Sequence, residues 1–239
     1  AKMLSNERFD ITSFAKGLMP PLLLVGAAFG LIMMQPDLGT GAVLVGASLI
    51  VIYTAGAKLT HLALLGLAGL AGFVALIAAA PYRLQRIVAF LDPWQDPLGA
   101  GYQAIQSLYA IGPGGLVGLG LGMSRQKYSY LPEPQTDFIF SIIAEELGFI
   151  GGATVLLLFA LLVWRGMRTA ITAPDMFGSL LAVGIVGMVA VQVIINIGVV
   201  IGLLPVTGIT LPLISAGGSS LTLMLTAIGV LLNISRYAR

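Results

Sequence analysis

Asp137, Ser141 and Glu145 recur at four-residue intervals, with Glu146 one step further round. On a helix this spacing puts the first three on one face. Carboxylates so placed can serve as general acid or base. Other chemistries are thinly supplied. The chain has no cysteine and one histidine, His61, which excludes disulfides, thiolate metal sites, histidine-clustered metal sites and cysteine nucleophiles. A Ser/His/Asp hydrolase has little to build on. Plainer roles compete for the acids. Asp137 can cap a helix, and Glu145 or Glu146 can pair with Lys or Arg inside a structural polar network.

Cations that could meet an anionic substrate lie upstream. Arg83 and Arg86 share a face of a short amphipathic stretch whose apolar positions are Leu84, Ile87, Val88 and Leu91. This pattern suits a helix lying in a membrane interface. The arginines can grip a phosphate or pyrophosphate, or sit among anionic headgroups. Arg125 and Lys127 come later in the same connection. The Asp92-Pro93-Trp94 turn reads as an interfacial anchor. Gly118, Gly120 and Gly122 read as flexible or closely packed backbone, because no strand precedes them. Gln192 and Asn196, one turn apart, read as interhelical glue. Ser215, Ser219, Thr222 and Thr226 make a polar stripe at and behind Gly217-Gly218, either small-residue packing or the wall of a groove. Gln35 and Asp37 sit at a turn, where Asp37 can cap the next helix.

The elements that must carry these residues are set by composition. Of 239 residues, 58% are hydrophobic and 9% charged, and the mean hydropathy is +1.00. Soluble domains carry about 25% charged residues, so a water-soluble globule and a disordered chain are both excluded. The twelve Lys and Arg form no run, which argues against nucleic acid as a partner. Apolar stretches near 17–34, 41–57, 60–80, 138–164, 177–204 and 219–235 match the roughly 17–25 residues a membrane helix needs. The expected fold is an all-α, polytopic transmembrane bundle of six spans, forming one domain over 1–239. A long connection at 81–137 stands out, since ordinary loops run about 4–6 residues. With both ends cytoplasmic, eight basic residues fall inside and four outside, all four within 81–137. The start of the chain reads like a cytoplasmic loop entered midway.

Gln35-Pro36-Asp37-Leu38-Gly39-Thr40, Pro81-Tyr82-Arg83, Asp92-Pro93-Trp94, Pro132-Glu133-Pro134-Gln135-Thr136-Asp137-Phe138, Glu145-Glu146-Leu147-Gly148 and Leu204-Pro205-Val206-Thr207-Gly208-Ile209-Thr210-Leu211-Pro212 together resemble the FtsW/RodA/SpoVE (SEDS) family. The likeness covers nearly the whole chain and is nearest the FtsW and SpoVE branch of Gram-positive bacteria. It implies a ten-span fold, of which this chain would supply the fifth to tenth spans. It implies a bacterial cell-membrane glycosyltransferase that polymerises lipid II in division, sporulation or elongation. The implied partners are a class B penicillin-binding protein and other divisome or elongasome membrane proteins. Asp137 falls on the family's proposed catalytic acid, the Asp of its Thr-Asp-Phe motif. Glu133, Thr136, Glu145 and Glu146 surround it in the same motif region. Arg83, Arg86, Lys127, Gln35, Asp37, Ser219 and Ser220 are the further candidates for holding substrate. Two positions depart from the family pattern. Ala216 stands where an aromatic residue usually precedes Gly-Gly-Ser-Ser, and Thr207 where some members carry Lys.

The implied chemistry is coherent. An acceptor sugar hydroxyl loses a proton as it attacks the anomeric carbon, and Asp137 can accept it. The leaving lipid pyrophosphate needs Arg, Lys or a divalent cation, Mg²⁺ or Mn²⁺, for which Asp137 is the possible ligand. Base and metal ligand remain alternatives at this point. So do two other functions, a lipid II flippase and a scaffold that recruits a synthase, although the inner half of the spans is nearly free of the charge a flippase path would use. The topology is directly testable. A cysteine at Ser124 should react with a membrane-impermeant thiol reagent in intact cells lacking an outer barrier; labelling only after lysis would reverse the orientation.

Overall fold

Prolines and capping acids start several of the helices, and apolar runs set their lengths. The computed structural model describes residues 1–6, 11–35, 37–78, 87–128 and 130–238, and every regular element among them is helical. A π-helical turn at Phe14–Leu18 runs into α1, Met19–Met33. Pro20 and Pro21 fall in its first turn, where backbone amides have no helical acceptor to lose. Helix α2, Leu38–Thr54, starts where the Asp37 carboxylate accepts the Thr40 amide at 2.9 Å. Helix α3 spans Leu59–Ala78, α4 Tyr102–Gly114, α5 Ile139–Ile171, α6 Met176–Val200 and α7 Gly218–Tyr237.

The six apolar stretches of the sequence coincide with α1, α2, α3, α5, α6 and α7. Among the described residues, four segments are long and apolar enough to cross a bilayer: Phe14–Met33, Ile139–Ile171, Met176–Val200 and Gly218–Tyr237. Leu38–Thr54 and Leu59–Gly72 are shorter apolar helices. The multi-pass membrane architecture expected from composition is therefore present.

The chain divides into two compact units. One comprises 1–72, 161–191 and 222–239; the other comprises 73–160 and 192–221. In the first, Leu18, Ile52 and Leu180 pack with Leu4, Ile11 and Ala57. Small residues let its helices approach. A Cβ on Gly184 or Gly187 of α6 would stand 3.2–3.3 Å from Val51 or Ile50 of α2, and one on Gly46 of α2 3.2 Å from Val191 of α6. Close backbone approach of this kind replaces the hydrophobic drive that lipid removes.

In the second unit, the connection at 81–137 is far from irregular. Residues 87–91 are helical, Pro93–Gln95 forms a 3₁₀ turn held by Asp92, and α4 occupies Tyr102–Gly114. The sequence pattern does not predict α4. The expected interfacial stripe is only partly described, since Leu84, Arg83 and Arg86 lie outside the described residues. Val88 and Leu91 are exposed and Ala89 is the buried residue, so protein contacts leave the apolar stripe uncovered.

Helix α5 is two helices meeting at Gly148, whose φ of 64° and ψ of −163° lie outside helical space. The break frees backbone groups that the turning segment 115–120 takes up. Leu119 and Gly120 amides donate to the Glu145 and Glu146 carbonyls at 3.0 Å. Phe149 and Ile150 amides donate to Gly115 and Leu116 carbonyls at 2.8 and 3.1 Å. The two backbones come so close that a Cβ on Gly118 would overlap the Glu146 carbonyl, and one on Gly148 the Gly118 amide. The reading as closely packed backbone holds at Gly118, whereas a Cβ on Gly122 would meet nothing within 4 Å. Gly148→Ala should lower the thermal midpoint of the full-length protein in detergent, since a left-handed φ alone costs an L-residue about 1–2 kcal/mol and the overlap adds to it. Gly152→Ala, helical and 3.4 Å from the Phe140 ring, should leave the midpoint nearly unchanged.

Candidate active site

The polar stripe Asp137, Ser141, Glu145 faces protein, and each member meets a different piece of chain. Ser141 is fully buried; its hydroxyl lies 2.8 Å from the Ser107 hydroxyl of α4, which donates to the Val200 carbonyl at 2.7 Å. Glu145 is 1% exposed. Its carboxylate accepts the Ser124 hydroxyl at 2.6 Å and the Arg125 and Gln126 amides at 2.9 and 3.4 Å. Glu146 accepts the Gly122 and Ser124 amides at 2.9 and 3.2 Å and pairs with the Lys127 ammonium at 2.7 Å. That ammonium also donates to the Gly122 carbonyl at 2.7 Å. The hydrogen bond to Glu146 raises the Lys127 pKa above its ordinary value, against the opposing cost of desolvation. The pair is therefore intact at neutral pH, and on the alkaline side it persists beyond the point where an ordinary lysine loses its proton. Both glutamates are thus engaged in holding residues 122–127, and Lys127 is engaged with them. Arg125 is exposed and bonded through its backbone.

Asp137 is fixed through its main chain. Asn196 of α6, 1% exposed, donates both amide hydrogens, one to the Asp137 carbonyl at 2.8 Å and one to the Ile209 carbonyl at 2.7 Å. The adjacent Thr136 carbonyl accepts the Ser215 hydroxyl at 2.5 Å, while that hydroxyl accepts the Leu211 amide at 2.7 Å. The Ala216 amide donates to the Gln135 carbonyl at 2.8 Å. Residues 135–137 are thereby stitched to the segment 209–216. Gly208 lies beside the acid: a Cβ built there would stand 3.5 Å from Asp137 Oδ2. Asn196, expected to join helices, instead ties α6 to two irregular segments, at Asp137 and Ile209. Asn196 Oδ1, Gln192 Oε1 and Thr207 Oγ1 are buried without a hydrogen-bond partner among the described residues.

The turn entering α5 is shaped by Glu133, whose φ of 50° is left-handed. Its carbonyl accepts the Thr136 and Phe138 amides at 3.3 Å, and its carboxylate the Thr136 hydroxyl at 3.0 Å. The Phe138 carbonyl accepts the Ser141 and Ile142 amides, which puts Phe138 at the cap position of α5. Asp137 is therefore one residue before the cap position.

The remaining candidates have local roles. Asp37 caps α2, in the first unit, with the exposed Gln35 before it. Ser219 and Ser220 are exposed in the first turn of α7, where the Ser220 hydroxyl donates to the Gly217 carbonyl at 3.0 Å. Ser215 has turned away from that stripe into the stitch at Thr136. Ser124 is 1% exposed, so Leu98, exposed in the same connection, is the better position for the labelling experiment. Arg83 and Arg86 lie outside the described residues.

A family model for FtsW, RodA and SpoVE, described as cell cycle protein, matches residues 1–239. The chain belongs to the FtsW/RodA/SpoVE family. It is 64% identical to stage V sporulation protein E of Bacillus subtilis, over the whole of this chain and 65% of that protein. It is 43% identical to a probable peptidoglycan glycosyltransferase FtsW of a Geobacter species, with the same coverage. The chain thus spans 65% of the length of these curated relatives. Among solved structures it resembles a chain from work on coordination of polymerization and crosslinking by a peptidoglycan synthase complex. That match has a TM-score of 0.77 and 36% identity, over 98% of this chain and 65% of the other. It also resembles the rod shape determining protein RodA of Thermus thermophilus, with a TM-score of 0.61 and 33% identity, over 91% and 56%. The family, the helical membrane fold and the resemblance read from the motifs agree.

Sequence reasoning missed Ser107 and Ser124. Neither belongs to a recognisable motif; only the acids and hydroxyl they bond could have pointed to them. Glu145→Ala should strip acceptors from Ser124, Arg125 and Gln126, at about 1–3 kcal/mol for buried donors left unpaired. Hydrogen exchange at the amides of 122–127 should quicken while that of α6 stays unchanged; uniform quickening would mean that Glu145 supports the whole fold instead.

Proposed function

We propose that the full-length protein is a peptidoglycan glycosyltransferase of the bacterial cell membrane, joining lipid II units into glycan strands, with Asp137 as its catalytic acid–base group. The observation that carries this reading is the stitch at residues 135–137. A buried Asn and a buried Ser are spent on two successive backbone carbonyls, which fixes the position of the Asp137 side chain through its backbone. The names and likenesses of the relatives support the same reading. A cavity of about 320 Å³ bounded by Asp92, Trp94, Leu108, Leu204 and Val206 opens two residues along the chain from Gly208, so mostly apolar surface adjoins the segment beside the acid.

In this reading the acceptor hydroxyl gives its proton to the Asp137 carboxylate as its oxygen bonds the anomeric carbon, and the carbon–oxygen bond to the lipid pyrophosphate breaks. The pyrophosphate takes the electron pair, and cationic side chains stabilise it. Arg125 is the described cation available for that; Arg83 and Arg86 are the others, while Lys127 is committed to Glu146. A divalent cation, Mg²⁺ or Mn²⁺, would find Asp137 as its protein ligand. Among the described residues no three His, Cys, Asp or Glu side chains cluster, so such an ion would draw on substrate oxygens and water as well as protein carboxylate. Mg²⁺ commonly binds in this manner and would add charge neutralisation at the leaving group. Both ends of the chain are assigned to the cytoplasm on the distribution of basic residues, with 81–137 on the outer face, where the substrate's sugars are. A class B penicillin-binding protein, and through it other division or elongation proteins, is the partner we assign.

The test is Asp137→Asn and Asp137→Ala in the full-length protein with its partner, lipid II and divalent cation supplied. Both should abolish polymerisation while the protein remains inserted and monodisperse. Near-normal activity of Asp137→Asn would remove the catalytic assignment. Wild-type protein that translocates labelled lipid II without making polymer would point to a flippase, and protein that does neither to a scaffold.

A further inference from the structure

Residues 115–123 form an apolar tip that water would solvate poorly. Leu116, Val117, Leu121 and Met123 are all exposed, with Leu121 at 78%, and Phe149 and Ile150 of α5 are exposed beside them. An irregular segment with four bare apolar side chains is either covered or immersed. We infer that this tip is a membrane-contacting surface, seated in the lipid at the boundary where α5 enters the bilayer.

Depth is set by α5. Its first charge toward the far end is Arg165. Counting back the roughly 20 residues that cross the hydrocarbon core reaches Glu145. The break at Gly148 therefore lies at or just within the opposite boundary. Segment 115–120 is bonded to that break by four backbone hydrogen bonds, so it lies at the same depth.

Backbone chemistry agrees. Irregular backbone survives next to lipid only if its polar groups are satisfied by protein. Here Leu119 and Gly120 amides and the Gly115 and Leu116 carbonyls are taken by α5, and the Gly118 amide donates to the Gly114 carbonyl at 2.7 Å. The Gly122 amide is taken by the Glu146 carboxylate. The side chains that point away are apolar. The apolar tip also continues the exposed face of α5, where Leu157 and Leu158 are about 60% exposed, onto the connection. A watery loop would need no such accounting.

The experiment uses full-length protein with a nitroxide label on a single cysteine at Val117 or Leu121, reconstituted in phosphatidylethanolamine and phosphatidylglycerol vesicles. Collision with oxygen is compared with collision with a water-soluble nickel chelate. Labels at Leu157 and at Leu98, on the polar turn of 92–101, give the lipid and aqueous references. Both tip sites should show an oxygen-to-nickel ratio several-fold above that at Leu98 and approaching that at Leu157. A ratio equal to that at Leu98 overturns the inference, as the tip is then in water. Exclusion of both probes overturns it as well, because the tip is then covered by protein, either the rest of the chain or a second copy. Two exposed sites are used so that one poorly inserted variant does not decide the matter.

Discussion

A break inside an apolar helix leaves amides and carbonyls that the helix itself cannot satisfy. The break at Gly148 sets this constraint, and the second compact unit is organised around its solution. Residues 115–120 supply the missing backbone partners, and they can approach only because Gly118 and Gly148 lack side chains. The two glutamates before the break then reach past that contact and gather the amides of 122–126. Backbone pairing brings the chain to the break, and carboxylates hold the next turn of the connection in place. A buried carboxylate with three donors, as at Glu145, is stable where an unpaired one would not be.

This arrangement explains why acids on one helical stripe have different fates. Glu145 and Glu146 lie where amide donors are plentiful, because the connection turns there with its amides pointing at α5. Asp137 lies before α5 begins, where the donors of Asn196 and Ser215 are spent on main-chain carbonyls. Asn196 has two hydrogens and gives both to carbonyls, at Asp137 and Ile209. The same stripe thus carries a structural anchor at one end and a positioned acid at the other.

Much of this was legible in the sequence. The six apolar runs all became helices, four of them long and apolar enough among the described residues to cross a bilayer. Ser141 and Glu145 were legible as neighbours because a spacing of four is one turn of α5, whereas Asp137, expected on the same helical face, lies two residues before that helix starts. Helix α4 was not legible, because Gly112-Pro113-Gly114 punctuates it and its buried face alternates Ile105 and Ala110 with Ser107. The partners of Glu145 and Glu146 could not be read either. They are mostly backbone amides, and a sequence does not show where an amide points.

The way Asp137 is held bears on how its chemistry can be separated from its structure. A side chain that is itself a hydrogen-bond hub, like Glu145, cannot be changed without loosening the donors it gathers. At Asp137 the main-chain anchors are the carbonyls of residues 135, 136 and 137, none of which depends on the side chain at 137. Replacement of the carboxylate by its amide leaves these bonds in place and changes charge and basicity. An acid held in this manner is suited to gaining and losing a proton during a reaction, because the backbone bonds that position it are the same in both protonation states.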